Sequence, residues 1–211
     1  MGKIAVIADS SCDYTPERAK QAGFSVIPLG VTFEDGTTYR DGVDLSGEQL
    51  FQKLAASKTL PKTSQPTLDD WMEEFRRHED CDDIICITVS SKLSGSIGGA
   101  SMARRLLRED GFQPHIHLID SLNASAAVAL FAVEAARMAK MGKFVQEILV
   151  RMTYLQSHVG IYFIIDTLDY LRKGGRIGSV TMLAGKLMGI KPLMTLSEGE
   201  ATSIDKVRGI Q

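Results

Sequence analysis

Four hydroxyls lie within the seven residues Ser90-Ser91-Lys92-Leu93-Ser94-Gly95-Ser96. The segment follows an apolar run, Ile84 to Val89, that reads as a buried strand, and it precedes a helical pattern beginning near Ile97. Where a strand ends and a helix starts, backbone N–H groups without helical acceptors gather at the positive end of a helix dipole. Ser94 and Ser96 flank Gly95 at that point, so the chemistry on offer is the holding of an anionic oxygen. Asp9-Ser10-Ser11 and Asp120-Ser121 end two further strands of the same type, and in open α/β sheets the binding crevice lies beyond such strand ends. Ser121 therefore joins Ser94, Gly95 and Ser96 as a candidate. The competing explanation is that Ser and Asp simply end strands and cap helices.

Two other segments offer donors. Thr63-Ser64-Gln65-Pro66-Thr67 is held extended by Pro61 and Pro66, because a residue before proline avoids the helical region. That suits a ligand contact through Thr63 and Ser64, and it equally suits a lead-in to a helix capped by Thr67. Leu171-Arg172-Lys173-Gly174-Gly175-Arg176-Ile177 is the densest basic spot. Paired glycines let the backbone approach closely and aim Arg176 at a carboxylate or phosphate, or the cations simply complement a helix C-terminus. Catalytic motifs fare worse. Gly95 directly precedes Ser96, so the G-x-S-x-G elbow is absent, and no Lys-Ser/Thr pair closes a phosphate loop. A dinucleotide fingerprint is missing for the same reason of spacing. His115 and His117 share a strand face without a third ligand on that strand, so no metal site is assigned. No catalytic residue is assigned either.

The elements that must position these groups alternate. Strands are expected at Lys3–Ala8, Phe24–Phe33 (interrupted by Pro28), Thr37–Arg40, Asp83–Val89 and His115–Ile119. Helices are expected after Thr15, Ser46 and Thr67, from Ile97, over Ala124–Lys140 (apolar nearly all round) and over Lys143–Leu155. Strands separated by helices imply a mainly parallel sheet. After about residue 156 the character changes to a strand at Val159–Ile165, short helices at Thr167–Lys173 and Ser179–Leu187, and a hairpin turning at Ser197-Glu198-Gly199-Glu200. The expected fold class is α/β. Residues 1–156 form a three-layer α/β/α domain with a mainly parallel sheet, and residues 157–211 form a smaller α+β second domain.

The 211 residues carry 24 Lys and Arg against 26 Asp and Glu, a net charge of −2 that gives no reason to expect nucleic-acid binding. Cys12, Cys81 and Cys86 have no metal-type spacing and read as free thiols of a reducing compartment. The longest apolar stretch, Ala124 to Ala136, contains Ser125 and Glu134 and falls short of a membrane span. A cytoplasmic protein without membrane insertion is expected.

Several short motifs, in this order and spacing, make the chain resemble the DegV family of bacterial fatty-acid-binding proteins. They are Asp9-Ser10-Ser11, Val26-Ile27-Pro28-Leu29, Tyr39-Arg40-Asp41-Gly42, Thr63-Ser64-Gln65-Pro66, Ser90 to Ser96, Ile119-Asp120-Ser121, Leu168 to Ile177, Ile190-Lys191-Pro192-Leu193 and Lys206-Val207-Arg208-Gly209. The resemblance implies a DegV-like two-domain fold with a long acyl chain buried between the domains. It implies that Thr63, with Ser64, and Ser94 hold the carboxylate, and that Arg176 and Arg208 face a kinase partner or a phosphorylated head group. The fatty acid is then a ligand rather than a cofactor, and the protein is a carrier that presents it to a separate fatty-acid kinase for phospholipid synthesis. Apolar walls are expected from Val26–Val31, Ala124–Ala136 and Ile161–Ile165. Family members continue past the Lys-x-Arg motif with a segment that completes the second domain and brings a histidine to the carboxylate, so the second domain is expected to be incomplete here. Two alternatives stand beside the carrier: an acyl or phosphoryl transferase with Ser94 or Ser96 as nucleophile, and a fragment that folds but binds nothing.

Overall fold

The computed structural model describes residues 2–178, 180 and 190–208, with the side chains of 190 and 206–208 outside the description. Its centre is a four-stranded, wholly parallel sheet in the order β2-β1-β6-β7, made of β1 (Ile4–Asp9), β2 (Ser25–Ile27), β6 (Asp83–Thr88) and β7 (His115–Asp120). The central strands read as unbroken apolar runs because both faces are covered. Val6, Ala8, Ile85 and Ile87 look one way, into a core with α1 (Pro16–Ala22), α5 (Ala126–Lys140) and α6 (Val145–His158). Ala5, Ile7, Ile84 and Cys86 look the other way, against α3 (Leu68–Arg76) and α4 (Ser96–Glu109). The three expected layers follow from that two-sided burial. Helix α5 is buried on more than one side, meeting β1, β6, α1 and α6, as its nearly uniform apolarity predicts. All three cysteines are buried and unpaired.

Pro28 divides the expected strand Phe24–Phe33 between two sheets. Residues up to Ile27 stay in the parallel sheet, and β3 (Gly30–Thr32) starts a second, antiparallel one. Proline has no N–H to give a ladder, so the chain changes partners there. Strand β3 pairs with β4 (Thr38–Arg40) on one side and β5 (Lys62–Ser64) on the other, over a small core of Val31, Phe33 and Leu45. Strand β5 lies in the segment that its two prolines hold extended, and it was not anticipated as a paired strand. The connection from β4 to β5 carries α2 (Gly47–Ala56), opened by a Ser46–Gln49 capping box.

The third sheet has the order β10-β9-β8, all antiparallel, from β8 (Tyr162–Ile164), β9 (Ile190–Ser197) and β10 (Glu200–Arg208). It packs Met194 and Ala201 against Leu168 and Val180, with the short α7 (Asp169–Lys173) alongside. The β9–β10 turn is the anticipated hairpin. Glu198 and Gly199, at φ 49° and 85°, form a two-residue loop of the left-handed kind that matches strand twist. The helix expected over Ser179–Leu187, Lys186 included, falls almost wholly outside the described residues.

Candidate functional site

Helix α4 begins at Ser96 with Gly95 as its N-cap residue, and no side chain caps it from that position. Ser94 does part of that work: its Oγ accepts from the Ser96 amide at 3.2 Å and lies 3.1 Å from Ser96 Oγ. The amides of Ile97 and Gly98 in the first turn have no helical acceptor of their own. Ser94 is half-buried, Gly95 exposed and Ser96 fully buried, so Ser94 is the hydroxyl at the surface of the cluster.

The β5 segment comes to the same place. The Gln65 side chain lies over Gly95 so closely that a Cβ there would fall inside contact distance of Oε1 and 3.2 Å from Cδ. Gly30, paired with Ser64 in the ladder, likewise leaves room for Ser64 Oγ. The two hydroxyl motifs are 30 residues apart in sequence, counting Ser64 to Ser94, and are adjacent in space. The third segment closes the group: Arg176 Nε donates to the Leu93 carbonyl at 3.0 Å, and its Nη1 donates to the Gly174 carbonyl. Thr63 and Arg176 then line a common cleft of about 680 Å³, whose apolar walls are Leu54, Leu60, Pro61, Tyr170 and Leu171. The walls expected elsewhere are engaged in cores instead: Val26 and most of Ala124–Ala136 pack in the first core, and Val31 in the small-sheet core. Tyr162 and Ile164 are exposed on the third sheet.

The other strand ends act as scaffold. Asp9 is fully buried, and its carboxylate accepts from the Val89 amide at 3.0 Å and from Ser11 Oγ. Burial pushes its pKa up, and the Ser11 and Val89 bonds, with the Ser96 hydroxyl nearby, pull it partway back. Ser10 Oγ donates to Asp41 at 2.7 Å and accepts from the Leu29 amide at 3.0 Å, which ties β1 to the chain around Pro28. Asp120 accepts from the Ser91 and Leu122 amides at 3.1 and 3.0 Å. Ser121 is fully buried, and its hydroxyl is spent within its own turn, donating to the Asn123 carbonyl and accepting from the Asn123 amide, both at 3.1 Å. Like Ser64, Ser94, Gly95 and Ser96, it is not among the residues that line the cleft. Arg208 ends β10, paired with Ile190, and its side chain is outside the description.

Two contacting residues lie inside the motifs but are not among the expected site residues. Ser90, fully buried, donates its Oγ to the Gly199 carbonyl at 2.8 Å, so the hairpin tip of the third sheet is seated on the strand-end loop of the first. Gln65 was visible only as part of a motif. The histidines His78, His117 and His158 bond to Glu74 and Ser25, to Asp83, and to Ser157 and Tyr154. His115 begins β7, at the opposite end of the sheet from the strand ends that carry the hydroxyls. Among the described residues no histidine reaches Ser94 or Ser96, so neither hydroxyl has an imidazole base beside it. No group of three or more His, Cys, Asp or Glu suited to a metal ion occurs among the described residues. No helix among them is long and apolar enough to cross a membrane.

Comparison with known proteins places the chain. A family model described as "Uncharacterised protein, DegV family" matches residues 3–211. A DegV domain-containing protein of Deinococcus radiodurans is 33% identical over 207 residues, which is 98% of this chain and 72% of the relative. Among solved structures, a stearic-acid-binding protein from Eubacterium ventriosum superposes with a TM-score of 0.87 at 32% identity, covering 99% of this chain and 71% of that one. The fatty acid kinase B3 protein of Streptococcus pneumoniae, loaded with linoleic acid, gives 0.84 at 27% identity, covering 98% and 73%.

Proposed function

The chain belongs to the DegV family, and from that premise we propose that it binds a long-chain fatty acid and carries it to a kinase. The carboxylate is held by Thr63 and Ser94, with Ser64, Gly95 and Ser96 shaping the cradle, and Arg176 and Arg208 face the head group or the partner. One observation carries the reading: the Thr63-Ser64-Gln65 and Ser94-Gly95-Ser96 segments meet at the start of α4, beside a cleft that Thr63 shares with Arg176. An anionic head suits that place. Hydroxyls, helix-start amides and one guanidinium supply donors, while the cradle itself brings no acceptor-only group to the surface. About 680 Å³ lies within the usual range for small-molecule sites. Each methylene removed from water contributes about 0.8 kcal/mol, so an acyl tail needs few polar contacts to bind tightly.

The mechanism that follows is capture and presentation without chemistry on the carrier. The acid enters with its tail along the apolar walls, and Ser94 turns its proton from Ser96 to the carboxylate. The head group, next to Arg176, stays at the mouth where a kinase can reach it. A division at about residue 156, a cytoplasmic setting and a fatty-acid kinase as partner belong to the same proposal. The likeness to a fatty acid kinase B3 protein loaded with linoleic acid supports the partner. The transferase alternative, with Ser94 or Ser96 as nucleophile, has no histidine beside either hydroxyl among the described residues to support it.

The test is solvent extraction of the purified chain followed by mass analysis, repeated after loading with oleate. Near-stoichiometric fatty acid supports the carrier. Absence of co-purified acid together with failed loading refutes it. Ser94→Ala should lower retention roughly tenfold, the loss of one hydrogen bond to a charged group, with unchanged thermal unfolding.

A further inference from the structure

We propose that the outer flank of α4 carries a second ligand site, separate from the acyl cleft, for a phosphate-bearing small molecule of the nucleoside-diphosphate class. The groove runs between α4 and the start of β7 and encloses about 850 Å³, more than the acyl cleft. Three guanidiniums line it, Arg104, Arg105 and Arg108, against one acid, Glu109. In a chain whose net charge is −2, this is a concentrated positive field in a concave setting.

The arginines are poorly neutralised. Arg105 reaches Glu109 only at 4.0 Å, with both side chains about two-thirds exposed, a pairing worth little in water. The Arg108 guanidinium makes no hydrogen bond or ion pair among the described residues. Two other carboxylates stand nearby, Asp110 paired with exposed Arg76 at 3.4 Å and Asp83 bonded to the groove residue His117 at 2.7 Å. Arg104 is oriented rather than neutralised. Its Nη1 donates to the Ile116 carbonyl at 3.3 Å, on the open side of edge strand β7, which stands the guanidinium across the groove. Guanidiniums one turn apart match the fork geometry of phosphate oxygens better than any neutral ligand.

The remaining wall favours an organic phosphate over a bare one. Phe112 is packed on the second core and half-buried, Pro114 is buried beneath the groove, and Met102 is 42% exposed at its side. They give a fixed apolar surface against which a ring can lie, with exposed His115 next to it. Cations near a helix C-terminus also complement its dipole. That role explains stability alone and requires neither the groove nor the aromatic wall.

The experiment is isothermal titration of the full chain with ADP, adenosine, inorganic phosphate and a short polyglutamate. Saturable ADP binding, weaker phosphate binding and a steep loss of affinity with added salt are expected. Arg105→Gln and Arg108→Gln should each weaken ADP roughly tenfold, while fatty-acid retention and thermal unfolding stay as in the parent. Ser94→Ala should leave ADP binding untouched, which separates this site from the acyl cleft. The proposal is overturned if ADP does not saturate at millimolar concentration, if both Arg→Gln variants bind it like the parent, or if only polyglutamate binds. The last outcome would assign the groove to an acidic protein surface.

Discussion

Gly199→Ala tests how the third sheet is fastened to the site. Gly199 is the second residue of the β9–β10 turn, at φ 85°, and it is buried. A Cβ there would fall inside contact distance of Ser90 Oγ and 3.3 Å from both the Leu122 and Lys92 side chains. Ser90 is 0% exposed, donates to the Gly199 carbonyl at 2.8 Å and accepts from the Lys92 amide at 3.2 Å. It has no room to swing away without abandoning both bonds. The left-handed backbone costs an alanine about 1 kcal/mol, and an unmade bond at a buried carbonyl costs about 1–3 kcal/mol, so the variant should lose about 2–4 kcal/mol. Denaturant unfolding measures the total, and hydrogen exchange should localise it to β9, β10 and the Ser90 loop. A double-mutant cycle sharpens the test. Ser90→Ala alone costs about 1–3 kcal/mol through the same bond, but it also removes the atom that the new methyl strikes. The double variant should therefore cost less than the sum of the two by about 1–2 kcal/mol. Strict additivity, or a Gly199→Ala variant within about 0.5 kcal/mol of the parent, would refute the fastening.

Gly95→Ala should behave differently although its added methyl also meets a neighbour. That neighbour is the far end of the exposed, flexible Gln65 side chain, so stability should change little while fatty-acid retention falls several-fold as Gln65 is displaced; unchanged retention would detach Gln65 from the cradle. Asp9 gives the pH dependence. Burial raises its folded pKa above the unfolded value, so the folded state holds extra proton in the window between the two, and that stabilisation is complete below the unfolded value and lost as pH rises through the folded one. The parent should thus gain stability relative to Asp9→Asn as pH falls from neutrality towards the ordinary carboxylate range. Parallel stability curves for the two proteins would show that Asp9 is not the group involved. Depressed carboxylates such as Asp44, held at about 2 by Arg40, work in the opposite direction and cancel in that comparison.

The parallel layers were legible because burial on both faces writes an apolar run, and the residues that end such runs announce the strand tips. Ala124–Lys140 could be read as multiply buried for the same reason, since its apolar positions exceed one helical stripe. The hairpin at Glu198-Gly199 was legible as turn chemistry. Strand β5 was not legible, because Lys62, Thr63 and Ser64 are all exposed and a three-residue exposed ladder has no periodicity to display. The two-sheet destiny of Phe24–Phe33 was half legible: Pro28 marks a break, but nothing local says that the two halves part company. Within the site, Ser94 and Ser121 are alike in sequence, each just past a strand. What separates them is Asn123, which closes a turn on Ser121 and consumes its hydroxyl. A Ser-x-Asn spacing is a usable signal for that fate. The meeting of Gln65 with Gly95 depends on pairings far apart in the chain and left no local trace.

The polarity of the cradle follows from how its hydroxyls are placed. Ser94 Oγ accepts from the Ser96 amide at 3.2 Å and lies 3.1 Å from Ser96 Oγ, so its hydroxyl neighbours are neutral rather than charged. A carboxylate arriving at the mouth competes with a neutral oxygen for the Ser94 proton, and it wins because hydrogen bonds to charged acceptors are about twice as strong. Binding therefore reorients one hydroxyl instead of creating a donor. Asp9 has a consequence for the ligand as well. It is fully buried and bonded to the Val89 amide and the Ser11 hydroxyl, so it does not stand bare against a second negative head. A cradle of neutral hydroxyls over a buried, well-bonded carboxylate can take an acid and release it with little charge rearrangement. The proposed carrier role calls for that reversibility, and a binding site built on a buried, unshielded cation would oppose it.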